Sequence, residues 1–276
     1  HGYDLRVVNN IVSFNWNNGQ SLSSPFAITN NTWYHIAVTF NAGTYTLYID
    51  GVEMNSSAGS IPISNDVDCI VGAMDQKTTP PYRPLNYFGG TLDELRIWDQ
   101  ALTVNEIRTM MNQEVEDSLG ALHGSIVPLR VASLDWIDLY GYYQMNQATD
   151  IVGGNLQSNG NSGITGRLRN MVTDQVESAP LPYLSTQNGL FFNGTTWLYG
   201  NVQQVPNNTS INGTTPIDWN IVRTSHNVIQ RNNNVVLLGL DVVSNEFTVE
   251  NTNALDGHSL RLTHYLKLDG LIDLVG

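Results

Sequence analysis

Asp93 is the residue whose position most clearly suggests chemistry. In the run LDELRIW, residues 92–98, apolar and polar residues alternate, which puts Asp93 on the same face as Leu95 and Ile97. A carboxylate that faces inward must be neutralised or coordinated, and its hard oxygen atoms suit calcium. The pattern therefore predicts either a calcium ligand or a carboxylate that accepts hydrogen bonds from loop N–H groups. Glu94 and Arg96 share the opposite face, where a surface ion pair of small energy is expected.

The other reactive residue types form no recognisable catalytic group. Cys69 lies in a short alternating apolar run, which predicts a strand with a small buried side chain. The six histidines offer no helical i, i+4 pair and no Cys–His spacing for zinc. Glycoside hydrolysis needs two carboxylates about 5–10 Å apart, and the nearest pair, Glu114 and Glu116, lies at a predicted helix end. No G-x-S-x-G elbow or P-loop occurs. The sequence therefore predicts a protein that is not an enzyme.

The composition limits the partners. The net charge is −13, and the only lysines are Lys77 and Lys267. Nucleic-acid binding is improbable on these grounds, because phosphate neutralisation needs basic clusters. No stretch is long and apolar enough to predict a membrane span. Charged residues make up 13% of the chain and apolar residues 41%. This balance favours an all-β protein with a neutral polar surface, and it is compatible with calcium or neutral sugars.

A predicted hairpin at residues 33–51, WYHIAVTFNAGTYTLYIDG, organises the first part of the chain. Ile36, Val38 and Phe40 alternate with polar or small residues, as they do in a half-buried strand. The glycine of Asn41-Ala42-Gly43 supplies the backbone freedom that a short turn needs. A second alternating run then ends at Asp50-Gly51, which predicts a further turn and the start of a meander.

A second block follows the hairpin in an informative order. FGGTLDELRIW at residues 88–98 precedes Ala-Leu-Thr and Glu-Ile within residues 101–107. Together the two blocks resemble the laminin-G-like jelly roll of the concanavalin-A-like lectin and glucanase superfamily, over residues 1–115. The resemblance implies an antiparallel jelly-roll sandwich, with Asp93 where relatives can bind a structural calcium. It also implies that the family's opening strands, the usual source of the other calcium ligands, are missing. The chain is therefore expected to be a piece of a longer polypeptide that starts in mid-domain and ends within a strand.

The rest of the chain predicts further units. Thr103 and Glu106 form a capping box, followed by an apolar helix face. Residues 116–185 contain glycines and prolines without a periodic signal, which favours a connector that packs on its neighbours. Short apolar strands separated by Asn or Gly fill residues 186–276, a spacing that suits either a β-solenoid or a second β-sandwich.

The predicted function is binding at the edge of the sandwich. Residues 75–86 carry three prolines, so a stiff loop would present Tyr82 and Tyr87 as stacking platforms for sugars. We expect an extracellular or cell-surface bacterial adhesin or glycan-binding segment whose partners are glycans and other segments of the same long chain. Two alternatives stay open, which are a structural spacer of a surface filament and an accessory module of a secreted polysaccharide-degrading enzyme.

Overall fold

Strands dominate the protein, which confirms the all-β prediction. The computed structural model describes residues 2–17, 19–63, 69–75, 84–145, 155–156, 158–167, 178–252 and 257–275. In the first half the strands are β1 (Tyr3–Val8), β2 (Ile11–Trp16), β3 (Gln20–Ser23), β4 (Ile36–Asn41), β5 (Thr44–Ile49), β6 (Val52–Ala58), β7 (Met74–Asp75), β8 (Pro84–Leu85), β9 (Leu95–Trp98), β10 (Val115–Ser118), β11 (Ala121–Gly124), β12 (Arg130–Asp135) and β13 (Leu139–Tyr143). In the second half they are β14 (Asn155–Leu156), β15 (Gly166–Arg167), β16 (Tyr183–Leu184), β17 (Gly189–Leu190), β18 (Ile221–Thr224), β19 (Val228–Arg231), β20 (Val235–Val242), β21 (Glu246–Glu250), β22 (Leu260–Leu268) and β23 (Leu271–Val275).

Two antiparallel sheets, β1-β2-β3 and β4-β5-β6, form the sandwich. The predicted hairpin is confirmed as β4 and β5, which pair in register from Ile36↔Ile49 to Asn41↔Thr44. The turn between them has positive φ at Ala42 and Gly43. Aromatic rings join the two sheets, with the Trp16 and Tyr45 ring centroids 4.3 Å apart. The alternating apolar residues therefore meet in one core, as their period of two requires.

The helix α1 (Val104–Met110) begins at the predicted capping box. The Thr103 Oγ1 accepts from the Glu106 backbone N–H, and the Glu106 carboxylate accepts from the Thr103 N–H. Ile107, Met110 and Met111 are buried, as the apolar face predicts. Beyond the helix, β10, β11 and β12 form an antiparallel sheet, and β13 pairs with β9. Short 3₁₀ turns lie at Trp136–Asp138 and Gly194–Thr196. The predicted domain boundaries themselves stay a prediction.

The last part of the chain, from β16 to β23, is called the rung stack here. Its strands alternate between two parallel sheets, β16-β18-β20-β22 and β17-β19-β21-β23. Each consecutive pair of strands therefore makes one rung that lies on the rung before it. Parallel pairing between successive rungs is the geometry of a solenoid, whereas the strands of a sandwich commonly pair antiparallel.

The sandwich and the rung stack share a hydrophobic core. One cluster of buried side chains joins Leu47 and Ile49 of β5 to Trp219, Ile221 and Leu238. A second cluster lies inside the rung stack, and a third lies between α1 and the β10–β13 region. The shared cluster fixes the sandwich against the loop that precedes β18, and it places side chains from both units around one cleft.

The predicted burial of Cys69 is wrong. Cys69 is exposed and lies outside the strands, and nearby Val71 is 47% exposed. Three alternating apolar residues are too few to specify a buried strand, because a run this short buries little apolar area.

Candidate functional site

The predicted binding loop is partly described. Tyr87 is 63% exposed and lies in a surface patch of apolar side chains, whereas Tyr82 lies outside the described residues. The Phe88 N–H donates to the Gly72 carbonyl at 2.8 Å, which ties the two loops of this patch together. We call this surface the rim patch; its members are Val71, Met74, Leu85, Tyr87, Phe88 and Leu92. Exposed aromatic side chains of this kind can stack on sugar faces.

Asp93 accepts two backbone hydrogen bonds. Its Oδ2 accepts from the Ala179 N–H at 2.7 Å, and its Oδ1 accepts from the Glu94 N–H at 3.1 Å. Burial raises the pKa of Asp93, and the two backbone hydrogen bonds oppose that rise. The described part of the chain brings together no group of three His, Cys, Asp or Glu side chains that could hold a metal. Calcium binding at Asp93 stays a prediction.

The ion pair between Glu94 and Arg96 is buried, so its predicted surface position is wrong. Their side chains are only 10% and 9% exposed, and Arg96 Nη2 lies 2.6 Å from Glu94 Oε2. Arg96 also donates to the Met110 and Gln113 carbonyls, at the end of α1. Tyr142 donates to the same Glu94 oxygen at 2.8 Å. Arg96 is buried because it supplies donors to carbonyls that a helix end leaves without partners.

A polar concave surface lies between the sandwich and the loop that precedes β18. This polar cleft has a volume of about 220 Å³. The hairpin end and the segment before β4 form one wall, and the loop after Gly200 forms the other. The residues lining the polar cleft are Ala27, Thr29, Tyr34, Asp50, Gln204, Thr209, Ser210, Ile211 and Ile217.

The hairpin positions Asp50 at the cleft. Asp50 has a positive φ of 51° in the turn after β5, and its Oδ1 accepts from the His35 N–H at 2.8 Å. The Asp50 N–H donates in return to the His35 carbonyl. Trp219 Nε1 donates to the Asp50 carbonyl at 3.1 Å, which fixes the turn against the second unit. Asp50 therefore combines a local turn role with a long-range contact, and its carboxylate is held in one orientation.

The opposite wall is a turn-rich loop that is held by both backbone and side-chain hydrogen bonds. The Ser210 N–H donates to the Thr215 carbonyl, and Thr209 bridges to Pro216. Asn207 anchors the loop, because its N–H donates to Asn220 Oδ1 at 2.7 Å. Short polar side chains of this kind replace regular backbone pairing in turns.

Ser210 carries a buried hydroxyl with no protein partner among the described residues. Its side chain is 4% exposed, and Oγ makes no hydrogen bond there. Leaving a buried polar group unpaired costs about 1–3 kcal/mol, so such groups are rare in folded proteins. The Ser210 Oγ atom is shielded from solvent in this structure, so a ligand hydroxyl could become its partner only with a small shift of the cleft wall.

Burial shifts the pKa values of Asp50 and His35, at the hairpin side of the cleft, in opposite directions. It raises the pKa of Asp50 to about 7, although the His35 backbone N–H lowers it in part. Burial, with a smaller contribution from Arg96, lowers the pKa of the His35 imidazole to about 4. At neutral pH the cleft therefore contains a carboxyl group near its midpoint of ionisation beside a neutral histidine.

These two groups make opposite contributions to stability between about pH 4 and 7. Between about pH 4 and 7 the folded state keeps a proton on Asp50 that the unfolded state has lost. The contribution of Asp50 to the free energy of unfolding therefore falls as the pH rises to about 7. Below about pH 6.5 the unfolded state binds a proton at His35 that the folded state does not bind until about pH 4. The contribution of His35 to the free energy of unfolding therefore rises with pH from about 4.

We expect Asp50→Asn to remove the contribution to stability that falls with rising pH and to keep the hydrogen bond from the His35 N–H. The free energy of unfolding, relative to wild type, should then rise by on the order of 1 kcal/mol per pH unit between pH 4 and 7. Urea melts at pH 4.5, 5.5 and 6.5 measure this difference. For His35→Gln, the free energy of unfolding relative to wild type should instead fall as the pH rises. Parallel pH profiles for wild type and both variants would contradict the pKa shifts of Asp50 and His35.

The lining residues of the cleft suit binding rather than hydrolysis. Asp50 is the only carboxylate among the described residues that line it. Glycosidases need two carboxyl groups on either side of the bond that is cleaved. The hydroxyls of Thr29, Thr209 and Ser210 and the amide of Gln204 can instead donate to and accept from a neutral polar ligand.

This site has no recognisable signature in the sequence. The sequence predicts Asp50 only as a turn residue, and it predicts residues 207–234 only as loops between strands. The one local signal is the density of Asn, Thr and Ser in that loop, which is also ordinary turn composition. No spacing in the sequence shows that this loop folds against the hairpin end.

Comparisons with known proteins define the first unit. Residues 2–108 match a family model described as the Concanavalin A-like lectin/glucanases superfamily. The rat and mouse proteins named sushi, von Willebrand factor type A, EGF and pentraxin domain-containing protein 1 are each 22% identical over 107 residues. That match covers 37% of this chain and 3% of each relative, so the chain spans a small fraction of their length.

Two solved structures show partial likeness. An S-layer domain-containing protein from Clostridium thermocellum is 29% identical, with a TM-score of 0.27, over 36% of this chain and 51% of that one. A candidate carbohydrate-binding protein from Bacteroides ovatus is 18% identical, with a TM-score of 0.41, over 60% of this chain and 44% of that one. None of the helices in the described ranges has the length and hydropathy of a membrane span.

The sequence blocks, the antiparallel sandwich and the family match agree with one another. Residues 2–108 match the concanavalin A-like lectin/glucanase superfamily, which confirms the resemblance predicted from the two sequence blocks.

Proposed function

We propose that this chain is a non-catalytic, glycan-binding segment of a bacterial cell-surface protein, and that the polar cleft binds a neutral sugar. The observation that carries the proposal is the convergence of one carboxylate, one amide and three hydroxyls beside Tyr34 in a single cleft. Sugars present donor and acceptor hydroxyls around an apolar ring face, and mixed groups of this kind satisfy both.

The size of the cleft limits the ligand. Its volume of about 220 Å³ is below the roughly 300–1,000 Å³ of pockets for drug-sized molecules. A single sugar ring is therefore the expected occupant, with the remaining sugars of a longer glycan outside the cleft. We propose that the rim patch contributes a separate stacking surface through Tyr87; a contribution from Tyr82 stays a prediction from the sequence. Fold membership supports carbohydrate as the ligand class and leaves the particular sugar open.

The structural-spacer alternative also has an observation in its favour. Arg108 lies over the Trp219 ring at 3.8 Å from the guanidinium carbon to the ring centroid, and Arg108 Nε donates to the Gly51 carbonyl. Asn220 donates to Asn112 at 2.9 Å within the same joint. A joint with this many buried contacts holds two units at a fixed angle, which is what a spacer needs.

A glycan array separates these functions. We expect wild-type protein to bind a restricted set of glycans, with or without added calcium. Gln204→Ala removes one amide from the exposed edge of the cleft, and it should lower affinity about 10-fold, the equivalent of one lost hydrogen bond with a partner left unpaired. Tyr87→Ala tests the rim patch in the same array. Silence toward every glycan in both conditions would contradict the binding proposal and favour the spacer.

A further inference from the structure

The loop wall of the polar cleft places a hydroxyl beside an aliphatic side chain. Its two arms run antiparallel, because the Ser210 N–H donates to the Thr215 carbonyl at 2.8 Å. The Ile217 N–H donates in the same way to the Asn208 carbonyl at 2.9 Å. Side chains alternate between the two faces of such a ladder, so Ser210 and Ile217 lie on one face as diagonal neighbours. Both residues line the cleft.

The aliphatic part of the lining is held by the core that the sandwich and the rung stack share. Ile217 is 6% exposed and belongs to that core, and the half-buried Ile211 packs against it. Ala27 adds a methyl group from the sandwich side. Because packed core residues keep their positions, they offer a preformed apolar surface to a ligand. A sugar whose substituents are all hydroxyls has no methyl group to cover this surface.

Asp50 supplies an acceptor on the facing wall. Among the described residues only the His35 N–H donates to its carboxylate, and it does so at Oδ1. Oδ2 therefore has the capacity to accept from a donor on a ligand. None of the described residues that line the cleft is basic. An acidic sugar would meet the Asp50 carboxylate without a compensating cation, which favours a neutral ligand.

We propose that the polar cleft recognises the acetamido group of a neutral N-acetylated amino sugar, an inference that rests on the glycan-binding function proposed above. An acetamide carries an N–H, a carbonyl and a methyl within one small group, and the cleft presents a partner for each. The N–H donates to Asp50 Oδ2, and the methyl packs on Ile211 and Ile217. The carbonyl accepts from Ser210 Oγ after the small shift of the cleft wall described above.

Two other classes of sugar match only part of this lining. A deoxy sugar such as fucose supplies a methyl group without an amide N–H. A sugar with a free amino group, such as glucosamine, supplies N–H donors without a methyl group. These two classes therefore show whether the apolar surface or the carboxylate alone accounts for binding.

Calorimetric titration of methyl glycosides into the intact chain tests this specificity. N-acetylglucosamine is compared with glucose, and N-acetylgalactosamine with galactose. We expect one of these acetamido sugars to bind about 10-fold more tightly than its parent, the combined effect of one buried methyl group and one hydrogen bond. Fucose and glucosamine should both bind less tightly than that acetamido sugar.

Ile211→Thr tests the methyl contact, because threonine keeps a β-branched side chain but shortens its apolar part. Affinity for the acetamido sugar should fall about 4-fold, the effect of one methyl group that is no longer buried. Affinity for the parent sugar should stay unchanged. Ile137→Thr is the matched control, at a position that is 61% exposed and outside the polar cleft, and it should alter neither affinity.

Failure of this inference differs from failure of the proposed function. Parent sugars that bind as tightly as their acetamido partners, or fucose or glucosamine that equals them, would overturn acetamido recognition and leave glycan binding in place. The same holds if Ile211→Thr keeps the full preference. If none of these sugars binds, acetamido recognition and sugar binding in this cleft are both overturned.

Discussion

Replacing Trp219 with alanine should lower the free energy of unfolding by about 3–5 kcal/mol, as buried Trp→Ala changes do. Trp219 is 9% exposed and belongs to the core that the sandwich and the rung stack share. Its Nε1 donates to the Asp50 carbonyl, and its ring lies beneath Arg108. Alanine would remove the ring from the core and leave the Arg108 guanidinium without its aromatic partner.

Chemical denaturation followed by circular dichroism measures this change. Tyr140→Ala is the matched control, because Tyr140 is an aromatic residue that is 45% exposed, and it should cost less than about 1 kcal/mol. Separate unfolding transitions for the two units should also appear in the Trp219 variant. A loss below about 1 kcal/mol for Trp219→Ala would show that the shared core does not hold the units together.

Arg96→Met should cost about 3–5 kcal/mol, the usual effect of removing one partner from a buried ion pair. The change leaves Glu94 buried with only Tyr142 as its donor among the contacts described above. It also leaves the Met110 and Gln113 carbonyls without the guanidinium. Burial raises the pKa of Glu94 and Arg96 lowers it, so loss of Arg96 should favour the protonated acid.

The matched control for this change is Arg231→Met. Arg231 pairs with Glu250 at 2.7 Å, but the two side chains are 43% and 27% exposed. Exposed pairs contribute at most about 1 kcal/mol, so this variant should unfold almost like wild type. If Arg96→Met and Arg231→Met lowered the free energy of unfolding by the same small amount, the buried network around Arg96 would contribute no more than an exposed ion pair. The double variant Glu94→Gln with Arg96→Met should recover part of the loss, because no unpaired carboxylate remains.

Elements specified by neighbouring residues were predictable. The hairpin of β4 and β5 follows from period-two alternation and a glycine turn, and α1 follows from the Thr103–Glu106 capping box. Both depend on contacts within a few residues of one another. The short apolar strands predicted between Asn and Gly breaks within residues 186–276 are present in the rung stack, among them β20 and β21. Residues 260–268 form one strand, β22, in which a register shift against β20 absorbs a break in the alternation.

The polar cleft was not predictable, because it depends on contacts between distant segments. Trp219 reaches the Asp50 carbonyl across 169 residues, and this contact places the loop around Ser210 beside the hairpin. Burial of Arg96 was missed for a related reason. Alternation predicts which residues share one face of a strand. Whether that face contacts solvent or a helix end depends on where α1 packs.

Calorimetric titration of the strongest glycan from the array tests the polar cleft most directly. Ser210→Ala removes the unpartnered hydroxyl in the cleft, and Thr224→Val removes another buried, unpartnered hydroxyl from strand β18, outside the cleft. Neither change should lower stability, because neither hydroxyl has a hydrogen-bond partner to lose among the described residues. We predict that Ser210→Ala weakens glycan binding about 10-fold and that Thr224→Val leaves it unchanged. Equal affinity in wild type and Ser210→Ala would contradict a binding site in this cleft.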